Sequence, residues 1–149
     1  ESGFAAAVLC GNVAHISFDI FGAYFRSALR EHKRLVAQLL DALLPEPLIR
    51  PLVGIPSKAR VTATATERYT LLHVKITSPE PRGRMEIVEE HDVLPAGARV
   101  GVRGRYPKVC RVPDGAPVRS WQEGKYTVLE LPQIVGYDMF MLEGNEAWP

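Results

Sequence analysis

Cysteine is scarce in this chain: two in 149 residues, Cys10 and Cys110, a hundred positions apart. Neither belongs to a CxxC pair or a Cys/His cluster, so the spacing of a structural metal site is missing. Both lie in apolar, strand-like runs, where a free cysteine serves as a small buried hydrophobe, with a disulfide or a reactive thiol as the alternative. A long apolar run is also missing. The longest, Val36 to Leu44, is interrupted by Gln38 and Asp41 and falls far short of the ~20 residues that span a bilayer. No basic segment followed by an apolar stretch marks a secretory signal, so a cytoplasmic protein is expected. Charge of one sign is not in excess either, with 18 Lys and Arg against 17 Asp and Glu. A net charge of +1 creates no broad field for nucleic acid or an anionic membrane, and neither is expected as a partner.

Ordinary catalytic signatures are missing too. His15, His32, His73 and His91 stand at no metal-ligand spacing, and HExxH, HxH, GxSxG, GxGxxG and GxxxxGK[ST] do not occur. No catalytic residue, metal or cofactor is therefore expected. His15 and His73 fall mid-strand and His32 on a helix, positions that suit hydrogen-bonded structural histidines. Glu89-Glu90-His91-Asp92 is the one dense acidic cluster, but consecutive strand residues point to opposite faces, so a solvated strand end is the better reading. Arg82, Arg84, Arg99, Arg103 and Arg105 make a basic neighbourhood without the aromatic pattern of an RNA-binding sheet, which reads as charged loop surface.

Proline is plentiful, at twelve residues, and the chain is 46% hydrophobic and 23% charged. These are globular proportions cut into short pieces, which favours β-structure over a helical bundle. Residues 1–44 open with Phe4–Leu9, a Gly11-Asn12 turn suited to type II′, and Val13–Phe21. In that second run Ile16, Phe18 and Ile20 alternate with polar neighbours, as in a strand with one buried face. From Gly22 to Leu44 a 3.6-residue period places Phe25, Leu29, Val36, Leu40 and Leu43 on one stripe. This predicts a single long helix, stopped by Pro45 and packed on Ile16, Phe18 and Ile20. Residues 45–57 hold four prolines among apolar residues and read as an extended strap.

From residue 58 to 149 the period is two. Ala59–Thr66 and Tyr69–Thr77 predict a hairpin about Glu67-Arg68. Arg84–Glu89, Ala98–Arg103, Lys108–Val112, Val118–Trp121, Tyr126–Leu131 and Tyr137–Leu142 follow, separated by turn residues. Short strands at this spacing predict an antiparallel β-sandwich. The whole chain is thus expected to be mainly β, with a short N-terminal hairpin and one long amphipathic helix. Trp121, Tyr126, Tyr137 and Trp148 are the aromatic residues placed to stack on sugar rings; in a small sandwich such residues more often pack the core or an edge. Of these, Trp121, Tyr126 and Tyr137 are the candidate carbohydrate contacts.

The order of these pieces carries a resemblance. Gly11-Asn12-Val13, His15-Ile16, Phe18, Phe21 and Tyr24, then Leu39-Leu40 and Leu43-Leu44-Pro45, resemble the closing strand and helix of the flavodoxin-like middle domain in β-galactosidase-type glycoside hydrolases of family 42 and its relatives. Residues 54–62, 69–95 and 108–143 resemble that family's C-terminal β-domain, in order and with matching spacing. Two positions depart from its pattern: Pro81 stands where an arginine is usual, and Tyr137 where a histidine is usual. The resemblance implies a catalytic (β/α)₈ barrel upstream that carries the acid/base and nucleophile glutamates, so no residue of this chain inherits a catalytic role. Starting at Glu1 inside an apolar run, the chain then reads as a fragment or a processed piece. Three functions follow as expectations. The first is a non-catalytic C-terminal region that supports the missing barrel and subunit assembly. The others are a carbohydrate-binding module and an autonomous protein-interaction domain. The uncharged run Phe4–Leu9 lacks the devices that blunt a sheet edge, so a homo-oligomer formed through the N-terminal piece is expected.

Overall fold

The computed structural model describes residues 5–82 (80–82 by backbone alone), 84–87 and 91–144. It divides into two units, Glu1–Pro47 and Leu48–Pro149.

In the second unit, period-two sequences become strands whose alternate residues meet in one core. Its strands are β3 (Ile49–Val53), β4 (Ala59–Ala65), β5 (Tyr69–Ile76), β6 (Glu80–Arg82), β7 (Met85–Ile87), β8 (Val93–Leu94), β9 (Arg99–Arg103), β10 (Lys108–Val112), β11 (Ser120–Glu123), β12 (Tyr126–Glu130), β13 (Ile134–Val135) and β14 (Tyr137–Glu143). Two four-stranded antiparallel sheets form, in the orders β10-β14-β5-β4 and β11-β12-β9-β3, with the two-stranded ribbons β13-β8 and β6-β7 beside them. Leu72, Val74 and Ile76 of β5 and Phe140 and Leu142 of β14 join Val100 and Val102 of β9 and Leu129 of β12 in a single buried cluster. This is the expected β-sandwich. Its polar members are satisfied at the ends of the layers. Buried Tyr106 places its hydroxyl 3.3 Å from that of buried Thr70, and its backbone N–H donates to the Thr127 hydroxyl at 3.1 Å. At the opposite end of β14, Asp138 turns inward and is held by Arg111, with Nε donating to Oδ1 at 2.9 Å and Nη2 at 2.8 Å from Oδ2.

The hairpin about Glu67-Arg68 is present, with Ala65 opposite Thr70. Ile49–Val53, inside the proline-rich segment, is a strand paired with β9, and its register shifts between Pro51 and Val53. Proline is confined to such positions because it cannot donate to a ladder.

The first unit consists of β1 (Ala7–Cys10), β2 (Val13–Ile16), α1 (Ile20–Ser27) and α2 (Arg30–Leu43). Gly11 adopts φ 56° while Asn12 does not turn positive, as a type II′ turn requires. Four expectations are corrected. The second strand ends at Ile16, because Ser17 donates its hydroxyl to Ala5 O at 2.8 Å and Asp19 caps α1 through the Gly22 N–H. The single helix is two. The Ser27 hydroxyl bonds back to Ala23 O at 2.7 Å, Ala28 closes α1 in the left-handed conformation at φ 52°, and Leu29 is extended. That break resets the phase of the apolar stripe, so Phe25 is 91% exposed and Leu40 50% exposed. Among the described residues of this unit only Ile20 is a buried hydrophobe. Cys10 is also exposed rather than buried, whereas Cys110 is buried; both are free. Phe4 lies outside the described residues.

Phe140→Ala is expected to lower stability by about 3–5 kcal/mol. Leu40→Ala should cost less than about 1 kcal/mol, as surface changes do. Urea unfolding of the two variants checks both.

Candidate functional site

On β4, β5 and β14 the residues between the core positions point outward, and the register sets them in rows. Lys75 stands directly opposite Tyr137 on one side and Arg60 on the other. In the next row His73 lies opposite Met139 and Thr62. Diagonal bonds tie the rows together. The Tyr137 hydroxyl is 2.8 Å from His73 Nδ1, and the Thr64 hydroxyl is 2.8 Å from His73 Nε2. A neutral imidazole has one donor and one acceptor nitrogen, and a hydroxyl serves either, so both ring nitrogens are satisfied. The two rings lie 6.2 Å apart at 26°, and Tyr137 remains 52% exposed. The backbone bend that delivers Tyr137 is Gly136, at φ 71°, where a Cβ would come within 2.9 Å of the His91 ring.

Beyond the end of these rows lies a cleft of about 430 Å³ lined by Ser57, Lys58, Arg60, Lys75, Thr77 and Pro79. Its basic edge is built partly by Lys58, whose ammonium donates to Asp92 and, at 3.1 Å, to the Ser78 hydroxyl. The hydrogen bond from Lys58, joined by that of Ser78, holds the Asp92 carboxyl below its usual range. Arg60 and Lys75, by contrast, have no acidic partner among the described residues.

The outward face of the other sheet is different. Trp121 and Tyr126 share it, Trp121 opposite Val128 and Tyr126 opposite Glu123 and Arg103. Arginines lie over both rings. The Arg50 guanidinium is 4.6 Å from the Tyr126 centroid, and those of Arg99 and Arg119 are 5.4 and 5.9 Å from that of Trp121. Glu130 anchors the latter two, at 3.6 and 3.2 Å. Such cation–π contacts occupy the ring faces a sugar would use, and Tyr126 is only 8% exposed.

The three candidate aromatic residues thus do not form one platform. Trp121 and Tyr126 sit on one outer face and Tyr137 on the other, with the core between. Trp148 lies outside the described residues, as do Glu89 and Glu90. His73 is the hydrogen-bonded histidine expected; His15 is exposed in β2, and His32 Nδ1 is buried without a partner beside Phe18. Sequence reasoning missed Arg60, Lys75 and Lys58. The signal available was like charge at cross-strand positions of a predicted hairpin, Arg60 and Lys75 being equidistant from its turn. Among the described residues no three His, Cys, Asp or Glu side chains gather as a metal site would need, and no helix is long and apolar enough to cross a membrane. Three other clefts are lined by Ile20–Val36 residues, by Arg111 to Pro132 residues, and by residues around Arg103 and Lys125. None of the four clefts is lined by two carboxylates; Glu130 alone appears in one.

No family model matches this chain, and no curated protein matches it in sequence. Among solved structures, α-L-fucosidase isoenzyme 2 from Paenibacillus thiaminolyticus superimposes with a TM-score of 0.84 at 23% identity, over 97% of this chain and 22% of that enzyme. The likeness is one of fold. The chain spans about a fifth of the length of that enzyme, most of which lies outside the match.

Asp92 supports a pH prediction. A carboxyl with a depressed folded pKa adds stability that is present above its unfolded pKa and lost as the pH falls through the folded one. The melting-temperature gap between the wild type and Asp92→Asn should therefore hold from pH 6 to 8 and close below about pH 4.

Proposed function

We propose that this chain is a non-catalytic C-terminal region of a glycoside hydrolase, one that supports a catalytic barrel and takes part in subunit assembly. The observation that carries the reading is the fold shared over 97% of this chain with only 22% of a glycosidase. The β-galactosidase-type resemblance of the sequence points to the same enzyme class with a different sugar. A region reused beside different sugar specificities suits a supporting role better than a sugar-selecting one. Hydrolysis of a glycosidic bond needs two carboxyl groups about 5–10 Å apart across a sugar-sized cleft, and no described cleft offers such a pair.

Assembly is assigned to the first unit. Phe21, Phe25, Val13 and Leu44 are each more than half exposed there, and Phe21 and Phe25 stand one turn apart on α1; large apolar side chains left in water suit an interaction surface. A missing catalytic barrel and a second copy of the chain are the partners proposed. Two free cysteines, one of them exposed, fit a reducing compartment such as the cytoplasm. A second reading, carbohydrate binding, is favoured by one observation: the half-exposed Tyr137 ring shares a row with Lys75 and Arg60, which have no acidic partner among the described residues.

The chain alone is expected to release no nitrophenol from aryl α-fucosides or β-galactosides. Turnover that disappears in Glu89→Gln or Glu90→Gln would refute the non-catalytic reading. In sedimentation the full chain should self-associate at ~100 μM, well above typical specific affinities, while residues 48–149 alone should remain monomeric. A monomeric full chain would remove the assembly role.

A further inference from the structure

We propose that the cleft at the end of β4 and β5, together with the Tyr137 ring, binds an acidic saccharide, a sugar bearing a carboxylate or a sulfate ester. The inference rests on the carbohydrate-binding reading and deepens it by naming the ligand class.

Arg60 and Lys75 are direct cross-strand partners, and like charges so placed repel one another. Here the residue on the other side of Lys75 is Tyr137, so the row reads aromatic, cation, cation. Adjacent strands lie about 4.8 Å apart, so Tyr137 and Arg60 are separated by roughly the span of one sugar ring and its substituent. Lys58 adds a third cation at the cleft, and the Ser57 and Thr77 hydroxyls add neutral hydrogen-bonding groups. Lys58 is already balanced by Asp92; among the described residues that leaves Arg60 and Lys75 as the charge that an anion would neutralise. A guanidinium fork recognises carboxylate and sulfate oxygens in pairs.

The aromatic half of the site is pre-oriented. His73 holds the Tyr137 hydroxyl at 2.8 Å and is itself held by Thr64 at 2.8 Å, so the ring is fixed before a ligand arrives and little conformational freedom is lost on binding. Among the described residues, the arginines that cover Trp121 and Tyr126 on the opposite sheet have no counterpart over Tyr137. A polyanion is a poorer fit, because a net charge of +1 provides no extended basic track.

The test is titration of the full chain with four probes: an oligoglucuronate trisaccharide, a neutral galactotriose, sodium sulfate and a short single-stranded DNA. Oligoglucuronate should bind and raise the melting temperature. Arg60→Ala and Lys75→Ala should each weaken that binding by about tenfold, and 0.5 M salt should weaken it in the wild type. Lys75→Ala should leave the melting temperature of the free protein unchanged or raised, since it removes a like-charge contact; this separates loss of a ligand contact from loss of the fold. Tyr137→Ala should weaken the trisaccharide and leave sulfate unaffected. Sulfate binding as tightly as the trisaccharide would overturn the saccharide assignment. Galactotriose binding as tightly, and insensitive to Lys75→Ala, would overturn the acidic specificity while leaving carbohydrate binding intact. Tighter binding of DNA would replace the proposal with a nucleic-acid one. No binding of the trisaccharide at ~10 mM, a concentration well beyond weak affinities, would overturn it outright.

Discussion

The dry contact between two four-stranded sheets is what the second unit depends on. Leu72, Val74 and Phe140 from one sheet meet Val100, Val102 and Leu129 from the other, all of them essentially removed from water. Each such side chain contributes about 1.5–3 kcal/mol on burial, against backbone ordering of about 1–2 kcal/mol per residue. The layer therefore succeeds only because nearly every alternate residue of the central strands takes part. Among the described residues, buried polar side chains enter it only at the two ends. Tyr106 joins Thr70 to Thr127 at one end, and Arg111 holds Asp138 at the other, so burial there costs no unpaired charge.

Because the inward positions are committed to the core, chemistry is left to the outward ones, and the two sheets use them differently. The outer face of β11, β12 and β9 spends its aromatic rings on arginines, with Glu130 fixing two guanidiniums around Trp121. That arrangement stiffens a surface. The face of β4, β5 and β14 instead fixes one open ring through a histidine and leaves two cations facing each other. That arrangement is the one proposed to receive a ligand. The first unit has the opposite character. Its helices are amphipathic, yet apart from Ile20 its described hydrophobic residues keep part of their surface in water. A hairpin and two short helices enclose too small a volume to bury both faces of the hairpin and both helix stripes. This is why the first unit is the part proposed to meet a partner.

Much of this was legible before the structure. Period-two alternation is a local property, so the sandwich, the hairpin about Glu67-Arg68 and the strand Lys108–Val112 could be read off residue by residue. The Gly11-Asn12 turn was legible for the same reason, since only glycine takes that φ without cost. Helical periodicity across Gly22–Leu44 was real but misleading. It counts apolar residues per turn and is blind to a single left-handed residue such as Ala28. The short strands Val93–Leu94 and Ile134–Val135 carry too few residues to show a period, and they exist because each completes the other's ladder.

The sequence by itself determined the alternation of the longer strands of the second unit and hence the class of fold, because side-chain alternation is built into an extended backbone. It also determined that no metal-ligand spacing or nucleotide-binding loop is written in the chain. Which outward residues become neighbours was decided only by the tertiary structure. Tyr137 lies 77 positions beyond Arg60 in the numbering, and pairing between β14 and β5 brings them into one row. Trp121, nearer to Tyr137 along the chain, ends on the far side of the core. Register and sheet order are set by the packing of the whole layer, and no local pattern encodes them.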